Sequence, residues 1–158
     1  MTKAASTSIP TGGNLASSVP RTNFTNLDTA VNELKLAEAS ATSGEELDQT
    51  PINLVYRKNS DGKWYKAIAT GIATLAQGFT ITTTSGADES IDVYAFDEFG
   101  HATFSFTHGA DNFIYLSPST AGASTQTAPT AAGQFRQAVG WPINATTARW
   151  FPDKTHSI

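Results

Sequence analysis

A chain of 158 residues with no cysteine can bury a core without staples, and it excludes disulfides, thiolate nucleophiles and cysteine-based zinc sites. The net charge is −4 and the ten Lys and Arg are scattered, so no nucleic-acid footprint is expected. Charged residues are only 15% of the chain, against roughly 25% in ordinary soluble domains, which fits a surface that ends up covered by partners.

Residues 1–22 read as an extended arm. Pro10, Gly12, Gly13 and Pro20 interrupt any regular element, and most of the rest is Ser, Thr and Ala. The opening has no apolar h-region, so a secretory signal is not expected, and the sequons at Asn23 and Asn144 read as chance matches. Ile9, Leu15, Val19 and Arg21 are spaced along the arm as candidate anchors for another subunit's surface. The plain alternative is a loose terminus.

Residues 23–50 read as a helix and a linker. Leu27, Ala30, Val31, Leu34 and Ala37 keep the i, i+3, i+4, i+7 spacing of one helical face, which predicts a helix from 24 to about 40. Thr25 or Asn26 can cap it, and Asp28 complements its dipole. A stripe three turns long needs a surface to pack on. Leu27, Val31 and Leu34 are therefore the expected oligomerisation seam, against sister subunits or against the chain's own β-domain. Glu45 to Gln49 reads as a polar linker.

Residues 51–158 read as β throughout. Ile52–Arg57 and Lys63–Ala69 flank the turn Asn59-Ser60-Asp61-Gly62, a strong hairpin signal. Further strands are expected at Ile72–Leu75, Phe79–Thr84, Ser90–Phe96, Ala102–Thr107, Phe113–Leu116, Phe135–Gly140 and Ala148–Phe151. Pro118, Pro129, Pro142 and Pro152 are expected between strands. The expected fold is mainly β: a small antiparallel barrel or sandwich, with the arm and one short helix before it.

No constellation of catalytic type emerges. His101 and His108 bracket one predicted strand seven residues apart, hence on opposite faces, and match no metal-ligand spacing. There is no G-x-S-x-G elbow around Ser105 or Ser117 and no phosphate-binding glycine loop. Asp88-Glu89 and Asp97-Glu98 are adjacent pairs whose side chains point apart in extended backbone. Trp64, Tyr65, Tyr94, Trp141 and Trp150 read as core or interface rather than a sugar platform. No enzyme activity, metal or cofactor is expected, and no run of 18 apolar residues offers a membrane span.

The C-terminal two thirds, from about 51 to 153, resembles a recurrent small β-domain of tailed-bacteriophage virion proteins. The resemblance is carried by the hairpin from Leu54 to Ala67, Ala76-Gln77-Gly78, and Gly109 with Ile114-Tyr115-Leu116-Ser117. It continues through Thr120-Ala121-Gly122, Thr125 to Pro129, Gly133 to Trp141, and the closing run from Ala145 to Pro152. It implies a capsid decoration (cement) protein or the base of a head fibre, with no catalytic residues. Such proteins are commonly homotrimers on the outer capsid surface that reinforce contacts of the major capsid protein. The expected partners are that capsid protein and the chain itself, the trimer being favoured. The expected location is the virion, after synthesis in the host bacterial cytoplasm. A receptor- or carbohydrate-binding module of a phage head or tail fibre is the alternative, and a groove lined by exposed Trp or Tyr would favour it.

Overall fold

The computed structural model describes residues 36–109 and 112–152. Ten strands form two five-stranded antiparallel sheets, each contiguous in sequence. The first sheet takes β1 (Leu36–Thr42), β2 (Asn53–Arg57), β3 (Trp64–Lys66), β4 (Gly78–Thr80) and β5 (Ser90–Tyr94), in the order β1-β5-β4-β2-β3. The second takes β6 (Asp97–Gly100), β7 (Ile114–Leu116), β8 (Ser124–Thr125), β9 (Ala138–Pro142) and β10 (Thr147–Trp150), in the order β6-β10-β9-β7-β8.

The first sheet curls until its edges nearly meet. Beyond β1, Ser43 bridges Trp64 of β3, and the Gly44 amide donates to the Trp64 carbonyl at 2.7 Å. The half-barrel encloses a small core of Ala41, Leu47, Val55, Trp64, Ile91 and Val93. Gly78 fits this interior because nothing larger does: a Cβ there would stand 2.5 Å from the Val93 side chain and 3.0 Å from the Tyr94 carbonyl. Successive strand residues face opposite ways, so Leu54, next to Val55, points into the larger core shared with the second sheet. That core gathers Leu54, Phe79, Ile114, Leu116, Val139 and Trp150.

Four backbone hydrogen bonds stitch the two halves beside this core. Leu54 N–H donates to Gly122 O at 2.8 Å, and Gly122 N–H donates to Ala67 O at 2.7 Å. Ala69 N–H donates to Ser117 O, and Phe135 N–H to Ala69 O. Gly122 has φ +78°, a left-handed conformation that favours glycine, and lies 3.1 Å (as a Cβ) from the Gln49 and Lys66 side chains. Gln137, fully buried, completes the seam. Its amide donates to Ala76 O at 2.8 Å and its carbonyl accepts from Ala76 N–H at 2.9 Å.

Several expectations need correction. The last positions of the predicted helix, 36–40, are strand: β1 pairs with β5 through two register shifts, and Ser40 sits at φ 51°. Ladder pairing overrides the helix propensity of this Ala-rich stretch. Strand structure thus begins ahead of the boundary expected at 51, and the polar linker contains Leu47, which is fully buried. Residues 24–35 lie outside the described residues. Ile72–Leu75 is not a strand but a 3₁₀ turn at Ile72–Thr74, closed by Thr74 bonding back to Gly71 O and Ile68 O.

From Thr103 to Thr107 burial alternates as expected, with Phe104 and Phe106 turned inward, but Ala102 is exposed and the segment pairs in no ladder. Its aromatic rings pack on Trp150 at 5.8 and 6.1 Å instead, and the neighbouring ladder belongs to β6. Pro142 does not lie between strands; it ends β9, opposite Ala148.

Candidate functional site

The residues expected to engage a capsid, Ile9, Leu15, Val19 and Arg21, and the expected seam of Leu27, Val31 and Leu34, all lie outside the described residues. The remaining chemistry-bearing groups can be placed.

The one locally basic stretch, Arg57 to Lys66, is a hairpin tip in which every cation has a carboxylate. Arg57 pairs with Glu38 at 3.5 Å, Lys58 with Asp61 at 3.8 Å and Lys66 with Asp48 at 2.9 Å, while Lys63 meets Asp88. The Lys66 ammonium holds the Asp48 carboxyl below the ordinary value of 3.8. Asp61 is lowered by the Lys63 backbone N–H and then by the Tyr65 hydroxyl, and the same bond raises the Tyr65 phenol. These pairs pin the turn and leave no cation on the tip without a carboxylate.

His101 is exposed, and its Nδ1 lies 2.8 Å from the Thr103 hydroxyl in the same turn; His108 is also exposed. Among the described residues no three His, Asp or Glu side chains gather as metal ligands. Ser117 is buried, and its hydroxyl accepts from the Ser119 and Thr120 amides, a turn-forming role. Ser105 lines a cleft of about 420 Å³ between residues 49–52, 103–106 and 123–126. Among the described residues no titratable side chain lines that cleft, and none of them offers the serine a base.

Asp88 is not in extended backbone as expected but at φ 67°, and the acids still have separate partners: Glu89 caps the Ser85 amide and hydroxyl, while Asp88 meets Lys63. Glu98 reaches Arg149 on the next strand at 3.4 Å.

Of the five aromatic residues that bear on sugar binding, Trp64 and Trp150 are buried, and Tyr65 and Tyr94 are partly covered. Trp64 Nε1 donates to Glu38 at 3.1 Å, and Tyr94 stacks on Phe79 with centroids 5.5 Å apart. Trp141 alone of the five is exposed. Its ring packs on Phe151 at 4.7 Å and lies 5.7 Å from the Arg149 guanidinium. Phe113 shares its cleft of about 370 Å³ with Trp141, and Tyr115 on the next outward position is covered by Arg136.

Sequence reasoning singled out Trp141 but missed Phe113, Arg149 and Glu98 beside it. The register Arg149 opposite both Trp141 and Glu98 makes the cluster, and register is not written in any one strand. Comparison of the chain with protein-family models, curated proteins and solved structures returns no match.

Proposed function

We propose that this chain is a structural protein of a bacteriophage virion, and in particular a capsid decoration protein. It binds the outer surface of the assembled capsid as a homo-oligomer and reinforces it. What supports the reading is where the resembling residues lie. Gln137 and Ala76, 61 residues apart, clamp each other; Gly122 bonds to Leu54 and Ala67 of the hairpin, and Ser117 to Ala69 just beyond it. The runs that resemble the virion β-domain thus meet on one seam, as parts of a shared framework would. The stabilisation is mass action: a ligand that binds the assembled shell and not free subunits adds about 2.7 kcal/mol at a hundred times its Kd.

The arm is the capsid-gripping element in this reading. Three apolar anchors contribute on the order of 1.5–3 kcal/mol each when fully buried, and an oligomer multiplies the grip by avidity. The test is co-sedimentation with undecorated capsids. The full chain is expected to pellet with them, and a variant lacking residues 1–22 to keep its β-spectrum and lose most of that binding. Failure of the full chain to bind refutes the reading. Equal binding by the truncated chain moves the contact to the β-domain.

The alternative, a carbohydrate- or receptor-binding module, rests on one place: the exposed Trp141 shares a cleft of about 370 Å³ with Phe113, while Trp64 and Trp150 are in the core.

A further inference from the structure

The cleft between residues 49–52, 103–106 and 123–126 is walled by main chain whose hydrogen-bonding groups are unused. β8 is the last strand of the second sheet. Bonded and non-bonded pairs alternate along an antiparallel ladder. Ser117 N–H donates to Ala123 O, while Leu116 N–H turns the other way, to Gln137 O. Ser124, opposite Leu116, therefore directs its N–H and C=O away from β7, at the cleft. On the second wall, Leu54 bonds to Gly122 and Ala67 on one side. Two residues back, Ile52 faces that same side, and neither its N–H nor its C=O is bonded to any described residue. Ile52 is only 5% exposed, and a buried main-chain pair without partners is rare. On the third wall, the Gln126 side-chain amide donates to Thr107 O at 2.7 Å and accepts from Thr107 N–H at 2.8 Å, as a neighbouring strand would. Ser105, two residues earlier, presents its N–H and C=O on the same side with no partner among the described residues.

These groups select the ligand. Donor–acceptor pairs spaced along extended backbone are the complement of another extended main chain. Phe104 and Phe106 turn their rings onto Trp150 and onto each other, so they are engaged in the core and not laid open as a platform for a sugar. Among the described residues no charged side chain lines the cleft, and a charge carried into it would be left without a partner. We infer that the cleft is a strand-addition site. It takes an uncharged extended segment of a partner protein, whose main chain pairs with Ser124 on one side and Ser105 on the other, over Ile52. The volume of about 420 Å³ falls within the range of ligand clefts, roughly 300–1,000 Å³. The site belongs to the β-domain and needs neither the arm nor a capsid, so it and the proposed function can fail independently.

The experiment is a titration of the isotope-labelled full chain, followed by amide NMR, with a capped, uncharged hexapeptide alternating Thr and Val. Saturable shifts are expected at the Ile52, Ser105 and Ser124 amides, with a dissociation constant below about 1 mM. The same peptide N-methylated at alternate amides loses the donors of one edge and is expected to bind about tenfold more weakly or worse. Ser105→Trp, at an exposed position, fills the cleft and is expected to abolish the shifts while leaving the rest of the spectrum in place; the N-methylated peptide tests the same point on the unaltered chain. The absence of saturable shifts at these amides overturns the inference. So does equal binding by the N-methylated peptide, or the same shifts produced by maltohexaose or by raising the concentration of the chain itself.

Discussion

Removing the Gln137 clamp tests the seam directly. The side chain satisfies the N–H and the C=O of Ala76, and both residues are fully buried. Gln137→Leu keeps most of the volume and leaves two buried backbone groups without partners. Each orphan costs about 1–3 kcal/mol, and the added apolar burial offsets part of that, so a loss of about 2–4 kcal/mol is expected. The control is Gln77→Leu. Gln77 also accepts from a backbone amide, that of Arg57 at 2.7 Å, but in an exposed setting. Water replaces that bond, and the expected loss is below about 1 kcal/mol.

Urea unfolding of the two variants gives the comparison, with m-values checked for two-state behaviour. Gln137→Glu adds a pH arm. Its carboxylate faces the Ala76 carbonyl, so the buried acid favours its protonated form and its folded pKa rises. Stability should then fall as pH rises above the unfolded value of about 4.3. Losses equal to within about 0.5 kcal/mol for Gln137→Leu and Gln77→Leu, at the usual limit of additivity, would refute the argument that burial makes the clamp.

Gly78→Ala should cost about 1–3 kcal/mol by overpacking the half-barrel against Val93, read as a lower urea midpoint. Asp48 and Asp61 have lowered pKa values, so their contribution is present above the ordinary 3.8 and is lost as pH falls through the folded values. Asp48→Asn and Asp61→Asn should therefore flatten the acid limb of a stability–pH curve below about pH 4. Melting should be indifferent to a strong chelator; a drop of many degrees would overturn the metal-free reading. Leu34→Asp should shift light-scattering mass towards monomer if the predicted stripe is an oligomer seam, whereas an unchanged mass assigns the interface elsewhere.

The hairpin around Asp61-Gly62 and the alternation of Ile91 and Val93 were legible because turn chemistry and a period of two are local properties. Leu36–Thr42 was not, since its strand state comes from β5, some fifty residues away, and not from its own Ala-rich sequence. Phe104 and Phe106 show the limit from the other side: alternation correctly gave their inward faces but not the missing ladder. Of the exposed cluster, Trp141 could be named in advance as an aromatic of interest. Its neighbours Arg149 and Glu98 became visible only with the register of three strands.

The contiguity of the two sheets has a practical consequence. Every strand of the first precedes Ala95, and every strand of the second follows Phe96. A cut between those residues severs no ladder and yields two fragments, each carrying one complete sheet and half of the shared core. Neither piece alone can cover Phe79 or Trp150, and both piece ends keep their half of the Gly122 and Gln137 bonds. The protein is therefore suited to fragment complementation: two co-expressed halves should recombine on the seam, turning an intramolecular joint into a binary affinity that can be measured and tuned.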